Sequence, residues 1–136
     1  MQVRPHLNFN GQCRAAFEYY ARCLGGKVTF LLTWGESPMA GEMPSSIHAK
    51  VCHANFQMGD TTFSGSDCRP EQFQKPGGFA LTINPRCFDQ AEQIFAALSV
   101  GGTVQMPLQE TFWAQRYGEL VDQFGVPWMI NCEKTA

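Results

Sequence analysis

The sequence predicts an α+β fold, in which two βαβββ modules form a curved mixed sheet around a cavity and carry their helices on the outer face. The motif Leu7-Asn8-Phe9-Asn10, followed by Cys13, returns 74 positions later as Leu81-Thr82-Ile83-Asn84, followed by Cys87. A helix-like run follows each copy and closes on a double glycine, and three strand-like runs follow each helix. A pattern that occurs only twice predicts two fused modules with a cleft between them. Such a cleft is a place for a ligand.

Length and composition fit one domain over residues 1–136, with module 1 at about 1–67, a linker at 68–77 and module 2 at about 78–136. Ten basic and twelve acidic residues give a net charge of −2 without any basic run, so we expect no nucleic-acid partner. The start lacks the apolar core of a signal peptide, and no apolar stretch approaches the roughly 20 residues that cross a bilayer. We therefore expect a cytoplasmic protein without a membrane partner. Six dispersed cysteines without C-x-x-C pairs predict reduced thiols.

Module 1 begins with apolar and polar residues that alternate from Val3 to Phe9, the period of a half-buried strand. The segment Gly11–Leu24 carries an apolar stripe at helical spacing and ends at Gly25-Gly26. Residues Gly35–Ile47 have the composition of a loop. The other strands of this module are predicted at Lys27–Trp34, His48–Met58 and Thr61–Ser66.

Module 2 repeats this order. Phe79–Asn84 is the predicted first strand, and Phe88–Leu98 is the predicted helix, again with an apolar stripe. Its three following strands are predicted at Thr103–Met106, Arg116–Asp122 and Pro127–Glu133.

Strand alternation places a set of polar side chains on the sheet faces opposite the helices. They are His6, Asn8, His53, Asn55 and Gln57 in module 1, and Asn131 and Glu133 in module 2. We predict that these side chains line a wet or ligand-filled cavity, with His6, Asn8, Asn55 and Asn131 contacting the ligand. Polar residues on a one-sided sheet that faces solvent would produce the same pattern.

The segment Gln109–Trp113 combines an amide, a carboxylate, a hydroxyl and two large rings directly after a predicted strand. We expect Trp113 to stack on a planar ligand and Arg116 to pair with an acidic group of that ligand. Gln109 or Glu110 would fix the ligand's orientation by hydrogen bonds. The alternative is that Phe112 and Trp113 fill the core while Glu110 pairs with Arg116 or caps backbone groups.

His53 is the main candidate for acid or base catalysis, because a free imidazole titrates near neutral pH. Glu110 is the second catalytic candidate. Asp67 becomes the carboxylate partner of His53 if the turn at Gly59-Asp60 folds its strand back alongside. The alternative is that His53 donates to a backbone carbonyl. Trp128 is expected in the core, with a partner for its indole nitrogen.

Four segments, together with Tyr19-Tyr20 and Leu24-Gly25 at the end of the first helix, resemble the PhnB-like branch of the vicinal oxygen chelate superfamily. This superfamily includes glyoxalases, bleomycin-resistance proteins and extradiol dioxygenases. The resemblance runs nearly end to end and implies paired βαβββ units around a cavity, commonly in a homodimer. The four segments are Leu7–Gly11, His53–Asp67, Met106–Trp113 and Asp122–Asn131.

The resemblance also implies that catalytic members hold one divalent metal ion with His, Gln or Glu from both modules. His6 lies at or beside the first ligand position. We predict no metal and no other cofactor, with His6, His53 and Glu133 as the fallback ligands for one divalent metal ion. The other ligand positions hold no usable donor, since they fall at Gly78 or Phe79 and at Met129 or Ile130.

The favoured hypothesis is a PhnB-like protein that binds a small planar or anionic molecule in its cavity without a metal. The alternative is a metal-dependent lyase or dioxygenase of the vicinal oxygen chelate type. A third interpretation is an interaction partner whose cavity is filled by its own side chains. We do not expect the methyltransferase activity with which members of this branch are often labelled, because the chain has no glycine-rich loop between strand and helix for an adenosyl cofactor. Whether any reaction is catalysed is left open by the sequence.

Overall fold

The computed structural model describes residues 1–134 of the chain. It divides into two compact units, unit 1 over Met1–Gln74 and unit 2 from Lys75 onward. Unit 1 contains β1 (His6–Phe9), α1 (Cys13–Leu24), β2 (Lys27–Thr33), β3 (Val51–Met58) and β4 (Thr61–Asp67). Unit 2 contains β5 (Leu81–Ile83), α2 (Phe88–Ser99), β6 (Thr103–Gln109), β7 (Ala114–Val121) and β8 (Pro127–Glu133). The predicted α+β class and the repeated βαβββ order are confirmed.

Each unit has its own four-stranded mixed sheet with the same topology. The strand orders are β1-β4-β3-β2 and β5-β8-β7-β6. The first strand of each unit pairs in parallel with the last, whereas the other neighbours are antiparallel. Neither helix in residues 1–134 has the length and apolar composition that crossing a membrane requires.

The core of unit 1 forms where α1 packs on its sheet, with Phe17 at its centre. The ring of Phe17 is fully buried and meets the rings of Phe9, Tyr20, Phe56 and Phe63 at centroid distances of 5.6–6.2 Å. Glycine at position 65 lets this ring approach β4, because a Cβ there would lie 2.6 Å from Phe17 Cζ. The helix ends at Gly25, whose φ of +78° favours glycine.

The core of unit 2 has the same construction with different side chains. Helix α2 buries Ala91, Ile94 and Leu98. A Cβ at Gly118 of β7 would lie 2.6 Å from Phe95 Cε2, so glycine again stands beneath an aromatic ring of the helix. Trp128 is only 2% exposed, and its indole N–H donates to Asp122 Oδ2 at 2.8 Å, which confirms the predicted core position and indole partner.

Of the eight strands described, seven differ from their predicted bounds by one to three residues at an end, and β8 matches its prediction. Strand β1 begins at His6 rather than Val3, and Val3 is exposed. Strand β5 covers only Leu81–Ile83; Gly78 ahead of it has a φ of +74°, outside the extended region, and Phe79 is exposed. Strand β6 runs past Met106 and Pro107 to Gln109. An edge strand tolerates proline, since its outward N–H groups are not needed for the sheet.

Candidate functional site

The face of the unit 1 sheet away from α1, here called the helix-distal face of unit 1, carries a cluster of polar side chains. Gly65 faces Phe17 and Cys13 of α1, so its neighbours Ser64 and Ser66 point to the helix-distal face. Strand register places His6 beside Ser64, and Asn8 beside Ser66. Two predicted site residues and two serines therefore meet there.

Both ring nitrogens of His6 are hydrogen-bonded to serines. Nδ1 lies 2.6 Å from Ser64 Oγ, and Nε2 lies 3.0 Å from Ser66 Oγ. Ser66 donates its hydroxyl hydrogen to Asn8 Oδ1 at 3.4 Å, so it must accept from His6 Nε2–H. In the neutral ring Nδ1 then accepts from the Ser64 hydroxyl. The network assigns a single tautomer to His6.

His53 and Asn55 of β3 complete this cluster. The carbonyl Oδ1 of Asn55 accepts from His53 Nε2–H at 3.1 Å, and the His53 ring stacks on that of His6 at a centroid distance of 5.9 Å. Burial lowers the pKa of His6 below its ordinary value of 6.5, and the charge of the neighbouring His53 lowers it further. His6 is therefore a neutral base at neutral pH.

The predicted pairing of His53 with Asp67 is wrong. Asp67 shares the side of β4 that faces α1, where its carboxylate accepts the backbone N–H of Cys13 at 3.0 Å and that of Val51 at 2.8 Å. Both bonds are buried. Asp67 therefore ties the start of α1 to the start of β3, and the partner of His53 is the side chain of Asn55 instead of a carboxylate or backbone carbonyl.

On the helix-distal face of unit 2, three predicted site residues surround Tyr117, which was not predicted. They are Gln109, Trp113 and Asn131. Register aligns Gln109, Tyr117 and Asn131 across β6, β7 and β8. The ring of Trp113 packs edge-on against Tyr117 at 5.1 Å. Burial raises the pKa of Tyr117 above its usual 10, and the charge of Glu119 adds to the effect, so its hydroxyl stays protonated.

Asn131 carries a buried polar atom without a partner. Its Nδ2 donates to Asn84 Oδ1 at 3.4 Å, but its Oδ1 receives no hydrogen bond within the described chain. Leaving a buried carbonyl unpaired costs about 1–3 kcal/mol. Such an atom is a position where a bound molecule with an N–H or O–H group would be stabilised.

Phe112 and Trp113 do not fill the core, since they are 90% and 44% exposed. Arg116 does not join Trp113 and Asn131, because it shares the helix side of β7 with Gly118. There its Nε lies 3.4 Å from Glu92 Oε1, and its guanidinium lies 4.0 Å from the centre of the Phe88 ring.

Glu110 is exposed, and its side chain makes neither a hydrogen bond nor an ion pair in residues 1–134. The alternative pairing of Glu110 with Arg116 is therefore wrong, because Glu92 takes that place.

Sequence reasoning missed four residues of these faces. Ser64 and Ser66 alternate with Phe63, Gly65 and Asp67, and this pattern alone would have placed them opposite α1. The remaining two, Tyr117 and Glu119, alternate in the same way with Gly118 and Leu120.

Metal ligands were predicted only as a fallback. In the described residues no three His, Cys, Asp or Glu side chains form a group that could hold a metal ion. His6 and His53 belong to unit 1, whereas Glu133 ends β8 of unit 2 and is exposed. The fallback set stays a prediction.

Known proteins resemble this chain over nearly all of its length. Residues 1–131 match the family model described as 3-demethylubiquinone-9 3-methyltransferase. Protein YjdN of Escherichia coli strain K12 is 33% identical over 142 aligned positions, which cover 98% of this chain and 97% of YjdN. The crystal structure of PA1353 from Pseudomonas aeruginosa has a TM-score of 0.90 and 40% identity, with 99% of each chain covered.

Two more distant structures share the fold. A Bacillus cereus protein that bears the names 3-demethylubiquinone-9 3-methyltransferase and PhnB has a TM-score of 0.82 at 19% identity, over 97% of this chain and 99% of its own. A glyoxylase/bleomycin resistance protein/dioxygenase domain from Frankia sp. EAN1pec has a TM-score of 0.67 at 13% identity, over 98% of both chains. At these identities the likeness concerns the fold alone.

Proposed function

We propose that the chain, which belongs to the PhnB-like family of the vicinal oxygen chelate superfamily, binds a small planar molecule without a metal. The family model that it matches is described as 3-demethylubiquinone-9 3-methyltransferase. The name of its relative YjdN states no activity. The proposed site is the helix-distal face of unit 2, at Gln109, Trp113, Tyr117 and Asn131. The cavity between the two modules stays a prediction, and the proposal uses groups of unit 2 only.

The unpaired Oδ1 of Asn131 is the observation that carries the proposal. Buried carbonyl oxygens in folded proteins nearly always accept a hydrogen bond, so an orphaned one requires an explanation. A ligand N–H or O–H that reaches this atom would remove the desolvation cost. The ligand should therefore carry at least one hydrogen-bond donor.

Two aromatic rings beside Asn131 support a planar ligand. Tyr117 is the cross-strand neighbour of Asn131 and only 7% exposed, and Trp113 packs on it while keeping much of its own ring exposed. An exposed indole face adds stacking energy for a flat ring system, about 0.5–1.5 kcal/mol beyond the area buried. Gln109, the neighbour of Tyr117 on β6, adds an amide for orientation.

Of the two predicted ligand classes, planar and anionic, the first is proposed for this face. Arg116, the expected partner of an acidic group, is held against α2 by Glu92 and Phe88. The charged side chain alternating with Tyr117 on the helix-distal side is Glu119, which repels anions. A neutral or weakly basic ring system with N–H donors suits these groups.

The chemistry of the potential ligands in this chain does not fit a metal centre of the superfamily. Both nitrogens of His6 are engaged by serine hydroxyls, and Nε2 of His53 is engaged by Asn55. A metal ion would have to displace a hydrogen bond at His6. In unit 2, moreover, the ligand position that the resemblance implies falls at Gly78 or Phe79, and neither side chain is a donor for a divalent ion.

The experiment that tests the proposal is a thermal-shift screen of metal-depleted protein. The panel contains bicyclic heteroaromatic compounds with N–H groups, their N-methylated counterparts and aromatic carboxylates, each at 1 mM. A compound at 100 times its Kd should stabilise the protein by about 2.7 kcal/mol. We expect stabilisation by N–H compounds, none by their N-methylated forms, and no requirement for divalent ions.

Matched variants locate the site. Trp113→Leu and Asn131→Leu should abolish the ligand-induced shift, whereas Phe79→Ala, at an aromatic residue of the same unit that is 53% exposed, should retain it. Arg116→Gln should also retain it, because Arg116 faces α2. Equal shifts from N-methylated and N–H compounds, or loss of binding only in Arg116→Gln, would contradict the proposal.

Two additions to the screen test the alternatives. S-adenosylmethionine tests the activity named in the family description, and Mn²⁺, Fe²⁺, Ni²⁺ and Zn²⁺ test the metal-dependent lyase or dioxygenase. A ligand shift that appears only with one of these ions would replace the metal-free proposal. A shift by S-adenosylmethionine larger than any other would favour methyl transfer.

We propose further that the chain forms a homodimer in the cytoplasm. Large apolar side chains at the surface support a protein partner, among them Phe79, Val100 and Phe112, which are 53%, 63% and 90% exposed. The six cysteines, none in a disulfide within residues 1–134, support a reducing compartment. Light scattering at micromolar concentration tests the dimer, and a monomer mass would exclude it.

A further inference from the structure

The helix-distal face of unit 1 contains a hydroxyl and a neutral imidazole in close contact. The Ser64 hydroxyl donates to His6 Nδ1 at 2.6 Å, and Ser64 is half-buried while His6 is exposed. A serine becomes a nucleophile when an adjacent base removes its proton and a third group holds that base in place. We propose that Ser64 is such a nucleophile and that unit 1 transfers acyl groups from small activated esters to water.

His6 is held in the orientation that a base requires. Its Nε2–H donates to Ser66 Oγ at 3.0 Å, and Ser66 in turn donates to Asn8 Oδ1 at 3.4 Å. This chain of bonds fixes the tautomer in which Nδ1 is the free acceptor facing Ser64. Ser66 and Asn8 are therefore positioning residues, since they act through His6.

Asn55 supplies a donor for the negative oxygen that forms during acyl transfer. It is the direct cross-strand neighbour of Ser64, a relation that brings Cβ atoms within about 4.5–5.5 Å of each other. His53 Nε2–H occupies Asn55 Oδ1 and so fixes the side-chain amide. The Nδ2 hydrogens of Asn55 have no acceptor among the described residues, so they are available to stabilise that oxygen.

The reaction proceeds in two balanced steps. Ser64 Oγ attacks the ester carbonyl carbon while its proton passes to His6 Nδ1, and the carbon–oxygen bond to the alcohol then breaks as His6 returns that proton to the leaving oxygen. In the second step His6 takes a proton from water, whose oxygen attacks the acyl-serine. The acid leaves, and Ser64 recovers its hydrogen.

A small alkyl fluorophosphonate tests the nucleophile, because its phosphorus accepts a serine oxygen as fluoride departs. We expect one phosphonyl adduct by intact mass, located at Ser64 by peptide mapping, and hydrolysis of p-nitrophenyl acetate that this adduct blocks. Ser64→Ala should lose both signals. His6→Gln should label at least about 100-fold more slowly, in line with the usual contribution of a general base.

Ser46→Ala is the matched control, since Ser46 is an exposed serine whose hydroxyl makes no hydrogen bond to a base in residues 1–134, and it should label at the wild-type rate. Labelling of Ser64 in urea-unfolded protein, where the network is absent, should not occur. Ser66→Ala should label more slowly, and Ser66→Thr, which keeps the hydroxyl, should recover most of the rate.

No adduct on folded protein, an adduct on another residue, or equal rates in wild type and His6→Gln would overturn the proposal. Mapping the wild-type adduct keeps the test decisive even if a variant fails to fold. The result is independent of the ligand proposed for unit 2, because the probe reports on Ser64 whether or not a planar compound binds near Trp113.

Discussion

The helix-distal faces of the two units stand on the same scaffold but offer different chemistry. In unit 1 the polar groups bond to one another, through His6, Ser64, Ser66 and Asn8. In unit 2 a buried carbonyl of Asn131 has no donor among the described residues, and exposed aromatic surface lies nearby. The arrangement in unit 1 suits proton transfer. The arrangement in unit 2 suits a ligand that donates a hydrogen bond to Asn131.

The helix sides of the two sheets, in contrast, are built alike. Each has a glycine beneath an aromatic ring of its helix, and each unit has a buried aspartate that accepts backbone N–H groups. The comparison teaches that the two units share the packing on their helix sides and differ in the chemistry of their helix-distal faces. Four predictions test how far this holds.

The largest effect should come from removing a buried aspartate. Asp67→Ala leaves the N–H groups of Cys13 and Val51 without an acceptor, at about 1–3 kcal/mol each, so we expect unfolding free energy to fall by about 2–6 kcal/mol. Asp122→Ala should cost as much or more, because it serves Phe124, Val126 and the Trp128 indole. Urea denaturation measures both.

Asp60→Ala, at an exposed turn, is the control and should change stability by less than about 0.5 kcal/mol. If Asp67→Ala matched this control, the buried carboxylate would not be the link between α1 and β3.

The second prediction concerns the glycine beneath the helix ring. Gly65→Ala puts a methyl group 2.6 Å from Phe17 Cζ and 3.2 Å from Cys13 Sγ, both in fully buried side chains, and should cost about 1–3 kcal/mol. Phe17→Leu should relieve this clash, so the double variant should lose less stability than the two single losses together. Gly41→Ala, with no atom within 4 Å of the new methyl group, should be nearly neutral. If the stability losses of Gly65→Ala and Phe17→Leu were strictly additive, the close approach of the Phe17 ring to position 65 would be contradicted.

The third prediction separates stability from binding in unit 2. Asn131→Leu removes the unpaired carbonyl, so the unliganded protein should keep its stability or gain up to about 1 kcal/mol while losing the ligand. Asn131→Asp adds another acceptor without a donor and should destabilise. Thermal melts with and without ligand measure both quantities. A loss above 1 kcal/mol in Asn131→Leu would mean that Oδ1 is already satisfied.

The smallest effect should be a pH dependence that belongs to unit 1. The folded-state pKa of His6 lies below its ordinary value of 6.5, because of burial and the charge of His53, the titratable ring stacked on it. The unfolded chain therefore binds this proton more tightly, and stability should fall as pH drops from 6.5 through the folded pKa. His6→Gln should flatten this part of the Tm curve. If the slope of Tm against pH were unchanged in His6→Gln, the pH dependence would belong to other groups.

Alternation in the sequence was sufficient to predict much of the scaffold. It predicted that His53 and Asn55 lie on one face of their strand and Ala54 and Phe56 on the other. The sequence repeat predicted the βαβββ order in both units. Alternation also placed Trp128 in the core with an indole partner. These features follow from local periodicity and apolar burial, which each segment carries by itself.

The chemistry of the site was harder to predict because it depends on register. Nothing local to His6 indicates that two serines from β4 would hold both of its nitrogens, since β1 and β4 are more than 50 residues apart. Arg116 was predicted to contact the ligand because it carries a positive charge. Its alternation with Gly118 and Leu120, however, indicates the side of β7 that faces α2. The unpaired oxygen of Asn131 cannot be predicted from the sequence, because it depends on whether any neighbouring N–H or O–H group in the folded chain donates to it.

The contrast between two indoles of unit 2 has a spectroscopic consequence. Trp128 is 2% exposed with its N–H bonded to a carboxylate, whereas Trp113 is 44% exposed. Acrylamide should quench the red-shifted emission of Trp113 well before that of Trp128. In a Trp34→Phe variant, which removes the third indole of the chain, fluorescence can thus report occupancy at Trp113 and integrity of the core at Trp128 in the same titration.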